Sequence, residues 1–307
     1  MQGKRNKTSA LSSLLGQNIL TRMAVLLGKI LPRRTGLNLA SLIGSQIGRL
    51  KRNPMVKAIR ANQWVIHGQS LPEEDLDELP PIVFSSAAKC IFDYFYFLSR
   101  PEKLHDIVDY SPQAKTAFDR IWNKEPCVIV CPHTSNFDLM GYALRLLDIK
   151  IQVLSFPNPN ASYQFQNQLR KSLDINVTPM GFGAFRQARI RLREGGSILT
   201  GLDRPLNSNH EKYQPKFFGY ETNLPVFYSR MAKEANAPVM IMAATSQPGE
   251  KYCLEGSELI WMESSGNLEK EIIHNTERVL QQAEPFIKKC ADQWAMFYPI
   301  WPQFLGV

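Results

Sequence analysis

The residues best suited to chemistry lie in the segment CVIVCPHTSNFDLMGYAL, residues 127–144. An apolar run ends at Pro132, His133 follows on a predicted turn, and a helix begins near Asn136 with Asp138 in its first turn. Functional side chains of α/β sheets cluster at the carboxyl ends of strands. Histidine can remove a proton near neutral pH, and a carboxylate on its second ring nitrogen fixes the tautomer. The pattern predicts that His133 is a general base oriented by Asp138.

This spacing occurs by chance in many chains, and a surface or capping histidine is the alternative interpretation. Two neighbouring residues could in principle act as nucleophiles. Pro132 interrupts the strand between Cys131 and His133, however, and Ser135 lacks the G-x-S-x-G elbow that exposes a nucleophilic serine. The other histidines have no ligand spacing, so we predict no metal site. They are His67, His105, His210 and His274.

The overall charge predicts anionic partners. Thirty-six Lys and Arg against 28 Asp and Glu give a net charge of +8, which suits nucleic acid, acidic lipid headgroups or phosphorylated substrates. The aromatic residues stand in apolar runs and are not interleaved with basic ones, which argues against nucleic acid. Five cysteines without a C-x-x-C pair argue against a disulfide framework or a zinc site and favour reduced thiols in the cytosol.

The N-terminal segment has the pattern of a membrane-surface helix. ALSSLLGQNILTRMAVLLGKIL, residues 10–31, carries apolar residues at helical spacing but is interrupted by Gln17 and Arg22 before the ~20 apolar residues of a spanning helix. A basic cluster follows. It consists of Arg33, Arg34, Arg49, Lys51 and Arg52. We predict that residues 1–54 associate with a membrane, and the alternative is an ordinary amphipathic helix packed on the domain.

The rest of the chain, residues 55–307, reads as one catalytic domain of α/β class with a mixed sheet flanked by helices. Residues 55–98 are predicted to be mainly helical and broken by a linker, LPEEDLDELPP. The aromatic residues after it, at 92 and 95–97, either line a groove for an apolar ligand chain or belong to the core. Strands are predicted at residues 127–131, 197–202 and 237–244. Helices are predicted at residues 139–147, 185–193, 226–236 and 268–289.

Four ordered blocks carry a resemblance to a known family. PHTSNFD resembles the H-x-x-x-x-D signature of the lipid A late acyltransferases and the related phosphatidylinositol mannoside acyltransferases. LREGGSILTGLDRPL, residues 192–206, resembles their second block, in which a strand ends in an acidic residue. The segment KFFGYETNLPVFYSRMAKEANAPVMIMA, residues 216–243, resembles the third, and QWAMFYPIW, residues 293–301, the last. The resemblance spans residues 55–302 in the expected order.

The resemblance implies a glycerolipid-acyltransferase fold with a hydrophobic channel. It implies an O-acyltransferase that moves a fatty acyl chain from acyl-coenzyme A or acyl carrier protein to a hydroxyl of a membrane lipid or glycolipid. His133 would be the base and Asp138 its orienting residue, with no acyl-enzyme and no cofactor. We expect a peripheral or monotopic protein at the cytoplasmic face of the plasma (inner) membrane.

Four further residues are predicted to bind substrate. Asn136 belongs to the signature itself, and Arg170 lies where relatives of the family hold a basic residue that could bind a phosphate. Asp203 and Arg204 follow a strand and would share the rim of His133 if the strands are parallel, with a structural Asp–Arg pair as the alternative.

Two positions depart from the family pattern. Ser135 replaces the usual glycine, so the turn is less permissive, and Ala291 with Asp292 stands where a Pro-Glu pair is common, in a region we expect to be packing. Two other functions stay open. One is a thioester hydrolase that gives the acyl chain to water, and the other is a non-catalytic anionic-lipid or nucleic-acid binder.

Overall fold

The computed structural model describes residues 25–157, 161–206 and 213–307. Its centre is a seven-stranded mixed sheet, which confirms the predicted α/β class. The strands are β1 Val108–Tyr110, β2 Val128–Cys131, β3 Ile151–Ser155, β4 Asn176–Pro179, β5 Ser197–Gly201, β8 Val239–Gln247 and β9 Lys251–Gly256. They follow the order β1-β9-β8-β2-β5-β3-β4. A separate antiparallel ribbon joins β6 Lys216–Phe217 to β7 Tyr220–Glu221.

Helices flank the sheet and form a layer before it. They are α1 Arg33–Gly48, α2 Pro54–Ile66, α3 Glu73–Leu98, α4 Pro112–Trp122, α5 Phe137–Leu146, α6 Ala161–Ser172, α7 Phe182–Arg193, α8 Phe227–Glu234 and α9 Leu268–Lys289. Short 3-10 helices occupy Pro101–Asp106, Ala291–Gln293 and Pro302–Phe304. Residues 25–30 are also helical.

The central strands β8, β2, β5, β3 and β4 are parallel, and β9 runs antiparallel to β8. Because helices cover both faces of the parallel part, its middle strand β2 is a continuous apolar run without alternation. Val128, Ile129 and Val130 of β2 are fully buried. The three strands predicted from apolar runs are therefore confirmed as β2, β5 and β8.

The predicted linker at residues 71–81 is wrong. Helix α3 begins at Glu73 and continues through Pro80 and Pro81. A proline inside a helix removes a backbone hydrogen bond and usually ends the helix. Here α1 packs tightly against this stretch, since a Cβ on Gly48 would lie 2.5 Å from Cα of Pro81. Tertiary packing thus overrides the local signal, and the acidic residues form the first turn of α3.

Helix α1 lies directly on the backbone of α3 through a row of small residues. A Cβ added to Gly44 would lie 2.3 Å from the carbonyl oxygen of Phe84, and one on Gly36 would overlap the ring of Phe92. At its N-terminus Arg33 donates two hydrogen bonds to the buried carboxylate of Asp93, at 2.9 and 2.7 Å. Helix α1 therefore packs as part of the folded body.

The outer face of α1 is apolar and exposed. Leu39, Leu42, Ile43 and Ile47 keep between 36% and 59% of their surface accessible. Most of the amphipathic segment predicted at residues 10–31 lies outside the described residues, and its described end, residues 25–30, is helical. Among the described helices, none is long and apolar enough to cross a membrane.

The aromatic residues near the end of α3 belong to the core. Phe92, Phe95 and Phe97 are each less than 9% exposed, and the described residues that line the main cavity do not include them. Of the two interpretations of this stretch, the structure supports core packing.

Candidate active site

His133 and Asp203 follow two adjacent parallel strands. Strand β2 ends at Cys131 and β5 ends at Gly201, and these two residues are registered partners. His133 and Asp203 each come two residues after these strand ends. Both side chains therefore lie at the same point on the carboxyl edge of the sheet. The distance from Nδ1 of His133 to Oδ1 of Asp203 is 2.5 Å.

The carboxylate of Asp203 is fully buried and accepts three hydrogen bonds. Besides the imidazole contact, the backbone N–H of His133 donates to Oδ2 at 2.8 Å, and Nε1 of Trp294 donates to Oδ2 at 2.7 Å. A buried charge is tolerated when hydrogen bonds replace its hydration. Asp203 is thus held as an acceptor for the Nδ1–H tautomer of His133, which leaves Nε2 as the basic nitrogen.

The predicted pairing of Asp138 with His133 is wrong in its geometry. Asp138 is in the first turn of α5, but its carboxylate accepts hydrogen bonds from Arg170, at 2.8 Å from Nε and 2.7 Å from Nη2. Helix α5 directs the Asp138 side chain toward Arg170 on α6 and away from the imidazole of His133. Asp203, which follows the neighbouring strand β5, pairs with Nδ1 instead. The signature histidine and aspartate therefore have different partners.

Arg170 is a buried cation with partners on two sides. In addition to Asp138, it donates from Nη1 to Oδ1 of Asn167 at 3.0 Å, and its guanidinium carbon lies 5.5 Å from the ring centroid of Tyr163. Burial by itself lowers the pKa of Arg170, but Asp138 and Tyr163 more than offset this, so the net pKa is raised. The group stays charged within the cavity wall.

The turn that carries His133 is fastened to the C-terminal segment. Thr134 and Trp294 form an isolated antiparallel bridge. The N–H of Ala295 donates to the carbonyl oxygen of His133 at 2.9 Å, and the N–H of Ser135 donates to that of Gln293 at 2.8 Å. The closing block QWAMFYPIW, which follows the Ala291–Asp292 region that we expected to be packing, therefore positions both members of the His133–Asp203 pair.

Ser135 adopts a left-handed backbone conformation with φ 46°. Glycine reaches this region at no steric cost, and other residues are uncommon there. The departure from the family's usual glycine thus falls on a position where glycine is favoured. The hydroxyl of Ser135 pairs with that of Ser246 at 2.6 Å, which helps to hold the turn.

Asn136 is placed behind the turn and not in the cavity wall. Its side-chain oxygen accepts from the N–H of Leu139 at 3.3 Å as the N-cap of α5, and its amide donates to the carbonyl oxygen of Cys90 at 2.9 Å. Both ends of the amide are used within the protein. This geometry favours a positioning role for Asn136 over the substrate contact predicted from the sequence.

A largely apolar cavity opens beside His133. Its empty volume is about 1050 Å³, including the part open to solvent. One wall is formed by α5, whose Phe137 ring packs edge-on against the imidazole with centroids 5.0 Å apart. The other walls come mainly from the inner strands and from α6. Apolar lining residues include Met140, Leu144, Val153, Leu199, Met242 and Leu254.

Arg204 lies in the cavity wall within an aromatic frame. Its guanidinium carbon is 3.8 Å from the ring centroid of Phe156 and 4.3 Å from that of Tyr298, whose hydroxyl accepts a hydrogen bond from Nη2 at 2.8 Å. Such contacts hold a guanidinium in place while keeping its charge. The structure therefore brings His133, Arg204 and Arg170 together around one cavity, and the buried Asp203 reaches it only through its hydrogen bond to His133.

Cys131 lines the same cavity but is poorly suited to act as a nucleophile. Burial, and to a smaller extent the charge of Asp203, raises the pKa of its thiol to about 12. The thiolate is the reactive form, and it is scarcely populated at neutral pH. Among the described residues, no group of three or more His, Cys, Asp or Glu side chains could hold a metal ion.

The sequence analysis missed two residues of this site. Trp294 donates a hydrogen bond to Asp203, and Gly201 leaves room for the imidazole of His133. A Cβ at Gly201 would lie 2.8 Å from Cε1 of His133. The sequence placed His133 and Asp203 on a shared rim of the sheet, but choosing Asp203 over Asp138 as the partner of His133 requires the register of β2 with β5. Nothing in the sequence indicates the indole contact, because it depends on how the C-terminal segment crosses the sheet edge.

An α/β fold with this His–Asp pair over an apolar cavity defines a class of enzyme site suited to acyl chains. A family model described as bacterial lipid A biosynthesis acyltransferase matches residues 19–303, and the chain belongs to this family of acyltransferases of lipid biosynthesis. Comparison with curated proteins finds no match for the chain. The resemblance seen in the four sequence blocks is thereby confirmed.

Proposed function

We propose that the protein transfers a fatty acyl chain from an acyl thioester, acyl-coenzyme A or acyl carrier protein, to a hydroxyl of a membrane lipid or glycolipid. Membership of the family supports an acyltransferase acting on lipid. The observation that carries the proposal is the His133–Asp203 pair at the edge of a cavity lined by apolar side chains. The cavity suits a hydrocarbon chain, and the pair suits proton transfer at its thioester end.

In this proposal Nε2 of His133 removes the proton from the acceptor hydroxyl as its oxygen attacks the thioester carbonyl. The tetrahedral intermediate collapses, the C–S bond breaks, and the imidazolium returns the proton to the departing thiolate. The products are an ester and a free thiol, so atoms and charge balance. Asp203 stabilises the imidazolium and keeps the proton on Nδ1. No covalent acyl-enzyme is formed, which agrees with the raised pKa of the Cys131 thiol.

The cations around the cavity would bind the phosphates of the substrates. Arg204 is held by aromatic rings next to the reacting end of the cavity, and Nη2 is its only nitrogen with a partner hydrogen bond among the described residues. Guanidinium groups bind phosphate through paired hydrogen bonds. Arg170, on α6, already uses some of its N–H donors in hydrogen bonds to Asp138. We therefore propose Arg204 as the main phosphate contact and Arg170 as the secondary one.

We propose that the protein binds peripherally to the cytoplasmic face of the inner membrane, with α1 against the lipid. The outer face of α1 exposes Leu39, Leu42 and Ile43, and Arg34, Arg49, Lys51 and Arg52 are exposed on or just after it. Exposed apolar side chains beside basic ones suit an anionic leaflet. Small residues on the inner face and large apolar residues on the outer face make α1 resemble a helix packed within lipid.

A labelled-acyl assay tests the proposal. Purified protein is mixed with radiolabelled acyl-coenzyme A or acyl carrier protein and with glycolipid acceptor in vesicles. We expect wild type to place the label in the lipid fraction. By analogy with other catalytic bases, His133→Ala should lower the rate of acyl transfer by at least ~10³-fold. His274→Ala removes an exposed histidine that also pairs with a carboxylate, Glu263 at 2.8 Å, and should keep full activity.

The fate of the label separates the alternatives. Label that appears only as free fatty acid would identify a hydrolase and contradict transfer to lipid. Equal activity in His133→Ala and wild type would contradict the assignment of the base. Mass spectrometry of lipids from cells with and without the protein then identifies the acceptor and the chain.

A further inference from the structure

The cavity wall formed by α5 contains one position without a side chain. Phe137, Met140 and Leu144 line the cavity at helical spacing, and Gly141 lies among them on the same face. A Cβ placed on Gly141 would meet no other atom within 4 Å. By contrast, a Cβ on Gly44 of α1 or on Gly201 would collide with neighbouring atoms. The open space at Gly141 therefore belongs to the cavity.

Local structure gives no other reason for glycine at this position. Gly141 is inside α5 and is not among the residues with positive φ. Glycine in a helix interior costs about 1 kcal/mol relative to alanine. No close helix contact requires it, because nothing approaches its missing Cβ. The remaining consequence of the glycine is the width of the cavity.

Gly141 lies one helical turn beyond Phe137, the residue of α5 that contacts His133. Phe137 packs against the imidazole of His133, and α5 leads away from that ring. With a rise of ~1.5 Å per residue, Gly141 lies ~6 Å beyond Phe137 along the helix axis. An acyl chain that runs from His133 along the α5 wall passes Gly141 before it reaches Leu144, because these residues follow one another on that wall. A side chain at position 141 would close the path there.

We infer that Gly141 determines which acyl chains the enzyme accepts, by leaving the cavity open to long chains. This inference rests on the proposed acyl transfer. It predicts that filling position 141 shifts the preference toward shorter chains, which the transfer reaction alone does not predict. Filling position 141 should exclude the far end of a long chain while leaving the thioester end and the His133–Asp203 pair in place.

Competition among octanoyl, dodecanoyl and hexadecanoyl thioesters tests the inference. Each is presented in equal amount to wild type, Gly141→Ala and Gly141→Leu, and the products are resolved by mass spectrometry. Wild type should prefer the longest chain. In Gly141→Leu the ratio of hexadecanoyl to octanoyl transfer should fall by about two-hundredfold, which corresponds to the loss of roughly four buried methylenes. Gly141→Ala should give a smaller shift in the same direction.

The control is Gly183→Leu, because Gly183 on α7 is exposed and a Cβ there also meets no atom within 4 Å. It should leave the chain profile unchanged. Displacement of a fluorescent fatty acid by unlabelled acids of different lengths reports on the cavity without catalysis. Gly141→Ala guards against misfolding of the leucine variant, since alanine favours the helix.

The outcomes separate the inference from the function on which it rests. A wild type that transfers no acyl chain would overturn the proposed function. A wild type that transfers chains, with the same length profile in folded Gly141→Leu and the same displacement series, would overturn the role of Gly141 and leave the transferase intact. A shift toward longer chains in Gly141→Leu would also overturn it.

Discussion

Nδ1 of His133 and Oδ1 of Asp203 are 2.5 Å apart although the two residues are separated by 70 positions in the chain. The pair depends on the register of β2 with β5, in which Cys131 is opposite Gly201. Trp294 fixes the second carboxylate oxygen from the C-terminal segment. Three separate parts of the chain thus meet at the Asp203 carboxylate, and each can be tested on its own.

Trp294→Phe removes one hydrogen bond to Asp203 and keeps most of the packing. A hydrogen bond to a buried charge is worth about 1.5–3 kcal/mol, so we expect lower stability and roughly a tenfold lower rate of transfer as the carboxylate loosens. The matched control is Trp301→Phe, because Trp301 is equally buried but its Nε1 has no hydrogen-bond partner among the described residues. Denaturant melts and initial rates measure the two effects. Equal losses of rate in the two variants would contradict a specific role for Trp294.

Gly201→Ala places a methyl group against the imidazole ring of His133. The added Cβ would be 2.8 Å from Cε1 of His133, a distance at which the imidazole must move. Because small displacements of a catalytic group can cost about a hundredfold in rate, we expect a loss of that order with the fold retained. Gly183→Ala, at an exposed and open position, should be silent. Circular dichroism and transfer assays check both variants, and full activity in Gly201→Ala would show that the ring has room.

Asp138→Asn should act mainly on stability. It leaves the guanidinium of Arg170, which is 9% exposed, without its carboxylate, and breaking one side of a buried ion pair costs about 3 kcal/mol or more. Asp174→Asn is the control, because its pair with Arg145 involves a carboxylate that is 83% exposed and is worth less than about 1 kcal/mol. Urea unfolding measures both. A negligible change in Asp138→Asn would argue that the pair is not significant for the fold.

Leu42→Glu tests the membrane contact of α1. Leu42 is 59% exposed, so the change should not disturb the core, yet it replaces an apolar contact with a charge that an anionic leaflet repels. Burial of a leucine is worth roughly 1.5–3 kcal/mol, and we expect at least a tenfold weaker binding to anionic vesicles in sedimentation assays. Gln187→Glu adds the same charge at an exposed position of α7 and should bind nearly as wild type. Identical binding of Leu42→Glu and wild type would place the contact elsewhere.

The sequence predicts the middle of this sheet well and its edges poorly. Strands β2, β5 and β8 are buried on both faces and therefore appear as apolar runs. Strand β4, with the sequence NVTP, lies at the sheet edge and has only Val177 fully buried, so it carries no such signal. Strands β1, β3 and β9 were missed as well. Pro80 and Pro81 give a local signal that the structure overrides. They predict a linker, but contacts with α1 maintain helix α3 through both prolines.

The same contrast applies to the site. His133, Asp203 and Arg204 could be identified from the sequence because strand ends and family blocks mark them, and Arg170 because it lies where relatives of the family hold a basic residue. The partner of His133 could not be assigned from local spacing. Asp138 is only five positions away, but the helix turns it aside, whereas Asp203 is brought in by strand register. Register is a property of the folded sheet, and the sequence predicts it only once the strand order is known.

The most direct test of the account is a double-mutant comparison of Asp203 and Asp138 against His133. Residues that act as one unit show non-additive losses of rate. We predict that Asp203→Asn lowers the rate of acyl transfer by about 10³–10⁴-fold and that His133→Ala with Asp203→Asn is no slower than His133→Ala alone. The losses from His133→Ala and Asp138→Asn should instead add. Additive losses for His133 with Asp203, and non-additive losses for His133 with Asp138, would contradict the account.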